Sequence, residues 1–249
     1  MPNHITNELL APAHVLATLK NSVTGDLIDF NNVIPMPEIL RAESSESMLI
    51  DWAKIALGIV NATTLSVRRA NPSDAFQAGD YASAADALGQ SNIIRMLYEG
   101  PFPKDFTTER FETFLRYIRC LKEHGHADWY SWSLEKWGTK WNAYQIEARG
   151  DGAIRFQTAW SAPLPVIYSL SLQNRADRIR LRWADENTGW NAGDVTLLDG
   201  QIVEGGRAED DSRDAYALAL DLCFGGVLDP EYRLTPEGKI EYIEESSTA

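Results

Sequence analysis

The chain has 249 residues, 44% hydrophobic and 24% charged, with a formal charge of −13. That length and balance describe an ordinary folded protein with a substantial core, not a disordered one. So acidic a chain argues against nonspecific binding to DNA or to an anionic membrane, because both need clustered Lys and Arg.

The acidity leaves room for a basic partner, or for a carboxylate surface that mimics nucleic acid. Cys120 and Cys223 stand far apart with no CxxC and no His ligand set, and read as reduced, buried thiols. The opening MPNHITNELL has neither the basic nor the apolar part of a signal peptide. No run approaches the roughly 18 apolar residues of a membrane span. The expected compartment is the cytoplasm.

Residues 4–10 alternate and read as a strand, and Val15, Leu16 and Leu19 give residues 12–21 helical spacing. Thr24-Gly25-Asp26 is a turn. Residues 26–34 (DLIDFNNVI) read as a second strand, stopped by Pro35 and Pro37. The opening, residues 1–37, is therefore read as β-α-β.

Residues 38–137 change character. Met48, Trp52, Ile55, Ala56 and Ile59 recur at helical spacing, and Pro72-Ser73-Asp74 starts another helical stretch. Pro101 and Pro103 break the chain. Phe106-Thr107 then opens the clearest helix, with Phe111, Phe114, Leu115, Ile118 and Leu121 on one face. Phe106 and Phe111 can form a hydrophobic staple, and Gly125 suits the helix end.

Strands return in residues 138–249. Residues 141–148 and 153–160 flank Arg149-Gly-Asp-Gly152, a hairpin signal. Pro163 and Pro165 begin a helix through Leu172, and residues 178–184 (RIRLRWA) alternate strictly. Residues 195–198 and 201–204 flank Asp199-Gly200, a second hairpin. A last helix runs over 211–224 to Gly225-Gly226, and the acidic tail EYIEESSTA reads as mobile.

The segment WYSWSLEKWGTKWNAY, residues 129–144, holds four of the eight tryptophans. Asp128 can cap a short helix carrying Trp129 and Trp132 on one face, which reads as core. Trp137 leaves that face, Gly138 ends the helix and Trp141 begins a strand. Rings at such a corner often sit half exposed, so Trp137 and Trp141 beside Lys140 are expected to be partly exposed. Residues 185–190 are expected to form the opposite wall of a cleft suited to a planar or anionic ligand.

The blocks WGTKWNAY, FQTAWSAPLPVI and ADENTGWNAG resemble the YubB-like family of phage- and plasmid-encoded proteins. MPNHITNELL and FNNVIPMPEIL resemble its amino-terminal pattern, although His4 and Ile5 stand where that pattern has Trp-Cys. The resemblance spans both ends of the chain and is weakest over about 42–105. It implies a ferredoxin-like carboxy-terminal part and a role on a mobile element, in replication, host takeover or counter-defence. It supplies no catalytic residues.

Other chemistry is weaker. His124-Gly-His126-Ala-Asp128 looks like a di-metal motif, but it ends a helix where such motifs follow a strand, and structural or solvated histidines explain it better. Asp185-Glu186-Asn187 offers paired carboxylates or a Mg²⁺ ligand set, against the simpler reading of a turn. Glu209-Asp210-Asp211 suits a helix start. Arg178, Arg180 and Arg182 share a strand face that could meet an anion or, more simply, pair with Asp and Glu.

The sequence therefore predicts an α+β, ferredoxin-like, antiparallel-rich sheet with a large helical insertion. Its function is read as non-enzymatic binding of a host protein or small ligand, with no cofactor and no metal. The candidate site is Trp137, Lys140, Trp141, Asn142, Tyr144, Thr158, Trp160, Asp185, Glu186, Asn187 and Trp190. Two alternatives stand beside it: a metal-dependent enzyme on a phosphate-bearing substrate, and an acidic nucleic-acid mimic.

Overall fold

The computed structural model describes residues 2–42, 45–59, 108–150, 152–228 and 230–243. The chain divides into two compact units, Met1–Pro35 with Ser133–Ala249, and Met36–Trp132.

The first unit is a six-stranded antiparallel sheet of order β2-β3-β1-β4-β5-β6. Its strands are β1 (His4–Leu10), β2 (Tyr144–Ala148), β3 (Ala153–Ala159), β4 (Ile179–Asp185), β5 (Gly193–Leu198) and β6 (Gln201–Arg207). The amino-terminal strand β1 is interior, paired with β3 from His4↔Ala159 to Leu10↔Ala153 and with β4 from Ile5↔Asp185 to Leu10↔Arg180. One sheet therefore joins the amino-terminal strand to the strands that follow residue 138. The first four strands lie in the order 2-3-1-4, joined by a β2–β3 hairpin and by crossovers β1→β2 and β3→β4. Strands β5 and β6 extend the same sheet as a meander.

Directly paired residues share a face. Ile5, Asn7 and Leu9 therefore lie with Ile154, Phe156 and Thr158 and with Leu181, Trp183 and Asp185, and all of them are buried. The Phe30 ring meets Phe156 and Trp137 edge-on, at 6.1 and 5.8 Å, on this face. Glu8 points the other way, towards Arg155, Arg182 and the helix Arg213–Leu222. That helix buries Ala215, Ala219 and Leu222 against Ala184 and Ala192. The crossover helix Leu164–Gln173 packs on β4 and β5 through a buried stripe that includes Val166, Ile167 and Leu170.

Residues 26–34 are not a second strand. Asp29 accepts the backbone N–H of Asn31 at 2.9 Å and caps the 3₁₀ turn Phe30–Asn32. Short polar side chains bond their own backbone and so compete with strand pairing. The buried Ile28 and Phe30 mimic strand alternation, but here they anchor a loop. Of the tail read as mobile, Glu241 and Tyr242 belong to Ile240–Tyr242 (β8), which pairs with Tyr232–Leu234 (β7) in a hairpin, while residues 244–249 lie outside the described residues.

In the second unit the helices Ser47–Ala56 and Thr108–His124 pack through Leu49, Ala53, Phe114, Tyr117 and Leu121. The Tyr117 hydroxyl accepts the Glu46 N–H at 2.9 Å. The helical start at Pro72, the breaks at Pro101 and Pro103, and the Phe106–Phe111 staple lie outside the described residues.

Candidate functional site

The site is built at one end of the sheet, where β3 stops and β1 starts. The helix Trp129–Lys136 ends at Gly138, whose φ of +75° favours glycine. A Cβ there would stand 2.6 Å from the Pro165 Cδ, so the position has no room for a side chain.

From Gly138 the chain is stitched to the end of β3. Thr139 Oγ1 donates to the Ala159 carbonyl at 2.8 Å and accepts the Ala159 N–H at 3.1 Å. Ser161 Oγ donates to the Gly138 carbonyl, and Ser133 Oγ donates to that of Lys140 at 2.8 Å. These bonds fix the backbone of Lys140. Its ammonium lies 4.7 Å from the Trp141 ring centroid and 4.8 Å from that of Trp160, close enough for a cation–π contact with each.

Trp160 carries φ +75°, a conformation that costs a non-glycine residue roughly 1–2 kcal/mol. Its backbone is held from both sides: its N–H donates to the Asn3 carbonyl at 2.9 Å, and its carbonyl accepts the Asn191 amide at 3.2 Å. The left-handed turn swings the indole outward, leaving it 38% exposed, as is Trp141. Trp190, at 48%, is carried on the loop that Asn191 ties to Trp160.

The ring array continues past Trp141. Tyr144 meets Trp141 edge-on at 6.1 Å, and His4 meets Tyr144 at 5.8 Å, with His4 Nδ1 2.6 Å from the phenol oxygen. A register shift between Tyr144 and Glu147, with Gln145 at φ +49°, re-aims the start of β2. Burial, and then the nearby Glu186 carboxylate, push the Tyr144 phenol above its ordinary pKa. Glu186 is itself exposed, with its N–H donating to the His4 carbonyl at 2.9 Å.

Not every predicted site residue reaches this surface. Trp137 was expected to be half exposed, but only 5% of it is accessible. Its indole N–H donates to the Ile34 carbonyl at 2.9 Å, so one hydrogen bond lets the whole ring be buried. Trp132 is core as expected, whereas Trp129 is half-buried.

Thr158 is fully buried, donating to the Ser161 carbonyl and accepting from Asn7. Asn142 is occupied in bracing Asp29 and Phe30. The buried Asp185 accepts from the Asn187 N–H at 2.8 Å, and from the Asn3 and Asn191 amides at 3.3 Å each. These residues support the surface from beneath. Lys140, Trp141, Tyr144, Trp160, Glu186, Asn187 and Trp190 remain half-buried or exposed.

Asn3, His4 and Asn191 are members that sequence reasoning missed. In the sequence His4 stands only as a departure from the Trp-Cys of the resembling pattern. No local spacing marks Asn3 or Asn191, since their roles come from strand pairing.

The other candidates resolve into structure. Arg178 pairs with Glu204, Arg180 with Asp194 at 2.5 Å, and Arg182 with Glu8 and Asp221. Asp128 caps the helix Trp129–Lys136 by accepting the Ser131 N–H at 2.9 Å, while His126 is buried and His124 lies 3.8 Å from Glu123. Burial raises the Asp128 pKa, but its bonds from Ser45 and Ser131 outweigh that and leave it lowered. Among the described residues no three His, Cys, Asp or Glu side chains converge as a metal ligand set. Among the same residues no helix is long and apolar enough to cross a membrane.

The strand order 2-3-1-4 with two crossovers is that of a ferredoxin-like sheet. Residues 136–221 match a family model described as the ferredoxin-like domain in Api92-like protein. The match covers both Trp-bearing corners and the Asp185–Trp190 loop; Asn3 and His4 lie outside it. Protein api92 from Yersinia pseudotuberculosis, a crystal structure, is similar at 13% identity and a TM-score of 0.32, over 84% of this chain and 99% of that one. Comparison with curated proteins gives no match.

Proposed function

We propose that the chain is a non-enzymatic binding protein of a phage or plasmid, acting on a host factor or a small ligand in host takeover or counter-defence. The observation that carries the binding reading is Trp160. An indole held outward at φ +75° by Asn3 and Asn191, sharing a Lys with a second exposed indole, is an arrangement that folding alone does not require. Backbone strain of this kind collects at functional sites, and Trp is the side chain most enriched at binding hot spots. The origin on a mobile element rests on the sequence blocks that resemble the YubB-like family.

An acid–base or metal-dependent reaction draws less support. Asp185, a buried carboxylate near the rings, is taken up by three hydrogen-bond donors.

The test compares the immobilised wild type with the Trp141→Ala/Trp160→Ala/Trp190→Ala variant, after matching their unfolding curves. Both are exposed to host extract, and the retained proteins and small molecules are identified by mass spectrometry. Species retained by the wild type and lost from the variant support the reading. Identical retention by both sinks it.

A further inference from the structure

We infer that the Trp141–Trp160 pair is a receptor for a cationic side chain, a Lys or Arg on a basic segment of a partner protein, and that Lys140 is its internal stand-in. The inference rests on the binding reading above and names the class of partner.

Three observations lead to it. First, the pair already holds an ammonium. Lys140 Nζ is 4.7 Å from one centroid and 4.8 Å from the other, so both rings lie within cation–π reach of one cation. Second, the occupant can be exchanged without unfolding the site. The backbone of Lys140 is held by Ser133 and Ala159, independently of where its flexible four-carbon stem points. Third, the charge around the rings favours an incoming cation over an anion. The protein carries −13, and Glu186 sits on the same rim, near enough to Tyr144 to raise its pKa. A basic segment would be steered to such a surface, while a phosphate-bearing ligand would be repelled.

Lys140 then sets a threshold. A partner cation must displace it, so weak monovalent cations are rejected and only a segment with further contacts along His4, Tyr144 and Trp190 competes.

A short oligolysine peptide and adenosine monophosphate serve as probes, with binding read from the eight tryptophan indole N–H signals by NMR at about physiological salt, where diffuse attraction is screened. The expected result is saturable oligolysine binding that moves the Trp141 and Trp160 signals. Lys140→Met should tighten it about 5- to 30-fold, because the internal competitor is gone. Trp141→Ala and Trp160→Ala should each weaken it about 5-fold or more. Each variant's remaining indole signals report whether it is folded, and Trp141→Leu, Trp160→Leu or Lys140→Gln replaces the variant at the same position if it is not.

Oligolysine binding that survives loss of both rings is diffuse charge attraction and overturns the inference. Binding of adenosine monophosphate at the rings, weakened by Lys140→Met, also overturns it, but leaves the binding function standing with an anionic ligand. If neither probe moves these signals, the cation receptor is refuted, and the extract comparison decides the broader reading separately.

Discussion

Asn142 donates its side-chain amide to Asp29 at 2.7 Å and accepts the Phe30 N–H at 2.9 Å, joining residues 113 and 112 positions apart. This bridge holds the loop before the 3₁₀ turn against the segment leading into β2. Asp29 also accepts from the Asn31 N–H, the Asn31 amide and the Asn21 amide, at 2.9, 2.8 and 2.7 Å. Burial raises its pKa, but these bonds prevail and hold it below the ordinary 3.8. A carboxylate with a lowered folded pKa contributes stability that is present above the unfolded value and lost as pH falls through the folded one. Asp29→Asn should therefore cost about 1–2 kcal/mol at pH 7. Its penalty should shrink as pH falls from about 4, where the unfolded carboxyl protonates, through the lower folded value. Urea unfolding at pH 7 and pH 3 checks this, and a penalty independent of pH would contradict it.

Trp137 and Trp141 are four residues apart and should behave as opposites. Trp137→Ala should cost about 3–5 kcal/mol, because it opens a cavity against Phe30 and leaves the Ile34 carbonyl without its donor. Trp141→Ala, at an exposed ring, should cost about 1 kcal/mol or less. Equal losses in denaturant melts would show that the exposed corner is core.

That contrast also shows what local sequence could convey. The β2–β3 and β5–β6 hairpins were legible because turn residues meet a backbone demand: Gly152 adopts φ +82°, and Asp199 and Gly200 adopt φ of +49° and +70°. Alternation placed β1 and β4 in the sheet for the same kind of reason. Whether Trp137 is exposed depends on Ile34, about 100 residues away, and no local pattern encodes that meeting. The false strand at 26–34 arose because Ile28 and Phe30 are buried two apart in a turn. The β7–β8 hairpin was missed because its second strand runs into the acidic tail and buries only Ile240, just before that tail begins.

The interior place of β1 gives another expectation. It bonds to β3 on one side and β4 on the other, so its removal splits the sheet into two separate edges. Deleting residues 1–34 should abolish cooperative unfolding. A soluble fragment 105–249 with a two-state transition would contradict it.

Glu8 is the charge at the centre of the opposite face. It is 6% exposed and pairs with Arg182 at 2.8 Å and Arg155 at 3.0 Å, while the Nε atoms of both arginines lie buried without hydrogen-bond partners. Glu8→Ala would take this carboxylate from Arg155 and from Arg182, which keeps Asp221, at a cost of about 3–5 kcal/mol. Glu8→Gln keeps one acceptor and should cost clearly less. Comparable losses in urea melts would mean that shape, not charge, is what Glu8 supplies.

The last prediction isolates the strain at Trp160. At a position with negative φ, Gly is less stable than Ala by about 0.5–1 kcal/mol, because it loses more freedom on folding. At φ +75° the order should reverse, since only Gly adopts that conformation without a Cβ clash. Trp160→Gly should thus be more stable than Trp160→Ala by about 1 kcal/mol, although it has the smaller side chain. Both variants remove the indole and should bind alike. If Ala proves the more stable, the left-handed backbone at Trp160 is not what holds the ring outward, and the main support for a dedicated binding surface falls with it.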